Sequence, residues 1–78
     1  GDPMFPMRGW RTEEWKYVET AAGDNELYDL RNDPIEVHNL FGNAAAARQQ
    51  QTMQAALRNF LKQTGDAWPN VPERGKLL

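Results

Sequence analysis

The sequence predicts an α+β domain: a small antiparallel sheet of three to four strands with one C-terminal helix packed across it. Three observations carry this expectation. Aromatic and β-branched runs recur at hairpin spacing before residue 31, an Asp-Pro pair punctuates the middle, and apolar residues recur with helical period after residue 43. A sheet with one apolar face and a helix with one apolar stripe each need the other.

The first hairpin joins residues 7–12 to residues 15–20 across Glu13-Glu14. Alternation puts Trp15 and Tyr17 on one face and Lys16 and Val18 on the other. Gly23-Asp24-Asn25 is a turn cluster, and residues 26–30 fit a third strand with Tyr28 and Leu30 sharing a face. At residues 33–36 the signals are those of a short helical turn. Asp33 is the cap, Pro34 takes the first helical position, and Glu36 is placed as a capping-box acid. Asn39 and Gly42-Asn43 interrupt that turn.

A longer helix is expected over residues 44–63, capped by Asn43. Ala46, Met53, Ala56, Leu57, Phe60 and Leu61 form its apolar stripe, so Leu57, Phe60 and Leu61 are expected to be buried against the sheet. Arg58 and Lys62 suit the negative end of the helix dipole, and Gly65 is a left-handed stop. The chain therefore divides into an irregular lead-in (1–6), one domain (7–66) and an extended tail (67–78) with a lone Trp68.

Size and composition narrow the function classes. A chain of 78 residues hides only about 60% of the surface its unfolded form exposes, so its core is marginal by itself. A net charge of −2 argues against a nucleic-acid partner, and no apolar run approaches the ~20 residues of a membrane span. Without cysteine there is no disulfide and no thiolate metal site. His38 is the sole histidine, and with no second one beside it a surface or packing role is expected. Asp24, Glu26 and Asp29 lack the glycine and terminal glutamate of a calcium loop. Trp10, Trp15 and Tyr17 are of a type that stacks on sugar rings, but on a short sheet they read first as core.

Several motifs in order resemble the C-terminal subdomain of the sulfatase family, of the arylsulfatase-like kind within the alkaline phosphatase superfamily. They are Arg11, Trp15-Lys16-Tyr17, Glu26-Leu27-Tyr28-Asp29-Leu30, Asp33-Pro34, Glu36 and Asn39-Leu40, followed by the helix. The resemblance covers roughly residues 8–66. It implies a non-catalytic subdomain of a sulfuric ester hydrolase that buttresses an N-terminal catalytic domain and helps shape the substrate mouth. Arg8, Arg11, Lys16 and His38 are the candidate mouth residues.

The family's cofactors are calcium and a formylglycine made from cysteine or serine in a Cys/Ser-x-Pro-x-Arg motif. This chain has neither cysteine nor serine, so no catalytic, cofactor-binding or metal residue is assigned to it, and no activity is expected of it alone. A related phosphonate or phosphate ester hydrolase and a stand-alone interaction module are the alternatives. The family is often periplasmic, secreted or lysosomal, but the sequence leaves the compartment open. Large apolar side chains outnumber what one sheet–helix contact can bury, so weak self-association is expected through Trp10 or Trp15, Leu40-Phe41 and Trp68.

Overall fold

The structure, a computed structural model, describes residues 7–66 and Trp68. Strands β1 (Met7–Arg11), β2 (Trp15–Thr20) and β3 (Glu26–Asp29) form an antiparallel sheet in sequential order. A 3₁₀ turn, Ala44–Ala46, leads into helix α1 (Ala47–Gln63). The irregular lead-in and most of the tail expected from the sequence lie outside the described residues.

The register sorts the side chains. Trp10 stands opposite Tyr17, and Tyr17 opposite Leu27. Opposed residues share a face, so Arg8, Trp10, Trp15, Tyr17, Glu19 and Leu27 point toward α1. Lys16 and Val18 take the outer face, as the alternation predicts. The core residue of β3 is Leu27, fully buried, while Tyr28 opposes Lys16 on the outer face and donates its hydroxyl to Glu26. Thr12 closes the first hairpin: its hydroxyl accepts from the Glu14 and Trp15 N–H groups, and its own N–H donates to the Trp15 carbonyl at 2.8 Å.

The Asp-Pro segment is a β-turn rather than a helical turn. Glu36 N–H donates to the Asp33 carbonyl at 3.0 Å with Pro34 at the second position, where its fixed φ suits a turn. The Asp33 carboxylate accepts from the N–H groups of Val37 (3.0 Å) and His38 (2.8 Å), one and two residues beyond a helix cap's reach. Glu36 adopts φ +58°, which stops any helix. Its carboxylate bridges to Lys16 Nζ at 2.7 Å instead of turning back on residue 33.

Beyond the turn, Asn39-Leu40 docks on the free edge of β3. Leu40 N–H donates to the Leu27 carbonyl at 2.7 Å, and Asn39 Oδ1 accepts from Leu27 N–H at 2.9 Å. The Asn39 side chain thus substitutes for a backbone carbonyl, and a two-residue edge does the work of a fourth strand.

Asn43 caps the 3₁₀ turn through Ala45 N–H. The buried line along the helix is Ala46, Met53, Leu57 and Leu61. Phe60 departs from expectation: it is 44% exposed. It sits ~60° round the helix from Leu57, over the edge strand, where it meets Trp10 at 5.4 Å between ring centroids with the rings tilted by 51°.

Gly65, at φ +72°, ends α1 in a Schellman turn: its N–H reaches the Lys62 carbonyl and that of Asp66 reaches the Leu61 carbonyl. The chain then doubles back over the sheet. Trp68 is accordingly a core residue, 7% exposed, and is not free to mediate self-association. Asp66 Oδ2 receives Arg8 Nε at 2.8 Å, and the Arg8 guanidinium lies 5.1 Å from the Trp68 ring centroid.

Leu57, with no exposed surface, and Phe60, at the rim, should separate in denaturant melts. Leu57→Ala is expected to cost about 2–5 kcal/mol, and Phe60→Ala only about 1–2 kcal/mol from half-burial plus one aromatic contact. Equal losses would refute this placement of the helix.

Candidate functional site

The structure does not gather the four candidate mouth residues into one site. Arg8 and Lys16 both border a shallow groove of about 300 Å³ along β1 and β2, with Met7, Gly9, Val18 and Glu26. The charged ends of both are engaged, Arg8 by Asp66 and Lys16 by Glu36. Arg11 stands opposite Lys16 on the outer face, exposed, and makes no ion pair among the described residues. His38 is exposed in the loop, and its backbone N–H rather than its imidazole is held, by Asp33.

Sequence reasoning missed the strongest polar constellation, which lies on the core face. Glu19 is 5% exposed. Its Oε2 accepts the Tyr17 hydroxyl at 2.5 Å and its Oε1 the Trp68 indole N–H at 2.9 Å. Arg58 Nη2 reaches both oxygens at 2.8 Å, and Gln54 donates to the Tyr17 hydroxyl at 3.1 Å. Burial pushes the Glu19 carboxyl up, but the hydrogen bonds from Tyr17, Trp68 and Arg58 outweigh it and hold the group below its ordinary value. Burial, then the bond to Glu19, pushes the Tyr17 phenol up to about 12. Both oxygens of the buried carboxylate are taken up by these donors, so the cluster is a structural joint. One signal could have found it: strand alternation places Glu19 on the face of Trp15 and Tyr17, where a carboxylate demands a cation.

Two further hollows open at the opposite end of the sheet. One, of about 360 Å³, is bordered by Glu14, Trp15, Asp29, Arg31, Asn32 and Gln49. The other, of about 220 Å³, is bordered by Trp15, Arg48, Gln49, Thr52 and Met53. Among the described residues no three His, Asp or Glu side chains converge as metal ligands. Asp29 is turned into its own loop, accepting from Arg31 N–H and from the Asn32 side chain, and Glu26 from the Tyr28 hydroxyl.

Known proteins resemble this chain in fold and sequence. No family model matches the chain. A solved structure, that of BT4656 in complex with its substrate D-glucosamine-2-N,6-O-disulfate, superposes with a TM-score of 0.75 at 32% identity. The superposition covers 81% of this chain and 13% of that one. The uncharacterized sulfatase YidJ of Escherichia coli is 38% identical over 63 residues. This chain is a sulfatase-like subdomain. Its match to YidJ takes in 81% of the chain but only 13% of that sulfatase. An uncharacterized protein of Haemophilus influenzae is 38% identical over 66 residues, covering 85% of this chain and 34% of that protein. The sulfatase-like subdomain thus corresponds to a small share of each of these relatives.

The Glu19 joint should show itself in the acid limb of the stability curve. A carboxyl held below its ordinary value of 4.5 adds stability above that pH, and the contribution is lost as pH falls through the folded-state value. Glu19→Gln should lower stability at neutral pH and flatten the decline below about pH 4.5. Asp29, Asp33 and Asp66, also held below their ordinary range, should leave a residual slope. Thermal melts across pH check this; an unchanged acid limb would exclude an ionised Glu19.

Proposed function

We propose that this subdomain serves a sulfatase as a non-catalytic buttress, packed against a catalytic domain that carries the nucleophile and the calcium site. The observation that carries the reading is the proportion of the matches: four-fifths of this chain corresponds to about an eighth of YidJ and of BT4656. Absence of serine and cysteine supports a supporting role, because neither precursor of formylglycine is present in the chain.

The surface supports docking through the 33–38 loop. Ile35 is 79% and Val37 61% exposed, on a backbone fixed by the Asp33 hydrogen bonds and the Lys16–Glu36 bridge. Two apolar side chains held rigidly in water contribute nothing to this core. Burial against another body would stabilise each by roughly 1.5–3 kcal/mol. The Haemophilus influenzae match, a third of a protein shorter than YidJ, supports a second reading in which the same module sits in a different chain.

A graft tests the buttress. Residues 7–68 of this chain, replacing the matched segment of BT4656, should give a soluble, monodisperse protein that still turns over D-glucosamine-2-N,6-O-disulfate. Ile35→Asp with Val37→Asp should depress soluble yield in the graft while leaving the melt of the isolated 78-residue chain unshifted. The isolated chain should not hydrolyse aryl sulfate. Turnover by it, surviving repeated purification, would overturn the reading, as would a graft indifferent to the double substitution.

A further inference from the structure

The two hollows that meet at Trp15 have no part in the joint or the loop, and they combine one aromatic ring with mostly polar and charged side chains. Trp15 is half-buried at the end of β2, directly opposite Asp29. Its indole N–H has no partner among the described residues, and no buried polar side-chain atom there goes unmatched. That donor therefore opens to solvent. An aromatic floor with an available N–H suits a sugar ring, which offers C–H groups on its faces and hydroxyls at its edge.

The walls are rigid. On one side the turn after β3 is fixed by Asp29, which binds the N–H groups of Arg31 and Asn32 and the Asn32 side-chain amide. On the other, Arg48, Gln49 and Thr52 project from the first two turns of α1. Gln49 borders both hollows, so its amide stands between them with a donor and an acceptor. The smaller hollow, about 220 Å³, falls short of the roughly 300–1,000 Å³ of drug-sized pockets and suits a single ring.

Charge selects among sugars. Arg48 is exposed and makes no ion pair among the described residues, whereas Arg31 lies 3.7 Å from Glu14. A guanidinium offers paired N–H donors to a tetrahedral oxyanion. The side near Arg48 is thus suited to a sulfate group, and the side near Asn32 and Asp29 to hydroxyls.

We infer that the Trp15 hollows form an accessory subsite for a sulfated monosaccharide unit, with the ring on Trp15, hydroxyls toward Gln49 and Asn32, and the sulfate on Arg48. The inference rests on the sulfatase reading for its ligand class.

The 78-residue chain, labelled with ¹⁵N, can be titrated with D-glucosamine-2-N,6-O-disulfate, N-acetylglucosamine and inorganic sulfate. The disulfate should shift the Trp15 indole and the Gln49 and Asn32 side-chain amides saturably. N-acetylglucosamine should act on the same signals more weakly, and inorganic sulfate near Arg48 alone. Trp15→Ala risks unfolding, so the variants are Arg48→Ala and Gln49→Ala. Arg48→Ala should weaken the disulfate several-fold and leave N-acetylglucosamine unchanged; Gln49→Ala should weaken both. Absence of a saturable Trp15 shift would overturn the subsite, as would a response to inorganic sulfate equal to that of the disulfate. A working graft without these shifts leaves the buttress standing and removes the subsite; shifts with a failed graft do the reverse.

Discussion

A carboxylate buried on the helix side of a three-stranded sheet is the constraint around which this subdomain is arranged. Moving a charged group out of water carries an effective penalty of several kcal/mol. Glu19 meets it with four donated hydrogen bonds from three different parts of the chain. Tyr17 comes from its own strand, Arg58 from the helix and Trp68 from the segment beyond the helix. For these three to converge, the helix must cross the sheet with Arg58 over β2, and the chain must reverse after residue 63. Gly65 permits the reversal by taking a left-handed conformation that a Cβ would oppose. The reversal also brings Asp66 to Arg8, the residue opposite Glu19 in the β1–β2 register. Acid and base thus alternate across the closing edge of the core.

That arrangement has a functional consequence. Charged residues that look, by type, suited to steering an anionic substrate are instead partners in structural pairs. Arg8 stacks on Trp68 and bonds Asp66, and Lys16 secures the 33–38 loop through Glu36. Groups left unengaged among the described residues include Arg11 on the outer face, Ile35 and Val37 at the loop, and Arg48 and Gln49 at the start of the helix. A subdomain fitted against a larger catalytic body needs such separation, because a recognition residue that also holds the fold cannot change without unfolding it.

The sequence made the architecture legible wherever the signal was local. Hairpin, meander, Asn43 cap, helix span and Gly65 stop depend on neighbours within a few residues, and all stand. The errors came where one local pattern serves two geometries or where partners lie far apart. Asp33-Pro34 starts a helix or a β-turn equally well, and the +58° φ of Glu36 decided for the turn. Alternation pairs Tyr28 with Leu30 on one face but leaves the inward face of β3 open until its register with Tyr17 is known. Phe60 fitted the apolar stripe, but it lies over the edge strand at the rim, where its ring meets Trp10 and stays 44% exposed. Trp68, 49 residues from Glu19, gave no local sign of its place in the core.

The site was less legible than the fold for the same reason. Cations were chosen from the strands, yet for two of them, Arg8 and Lys16, acceptors arrive from distant segments, Asp66 and Glu36, and neutralise them. The Trp15 hollows exist only because the turn after β3 and the first turns of α1 come to flank one indole. No spacing along the chain encodes that meeting. What encodes it is the Glu19 joint, since fixing Arg58 over β2 sets the position of the whole helix, including Arg48 and Gln49 nearly three turns earlier. Stability and recognition therefore occupy different residues but share one helix, and the buried carboxylate is what ties the geometry of the second to the first.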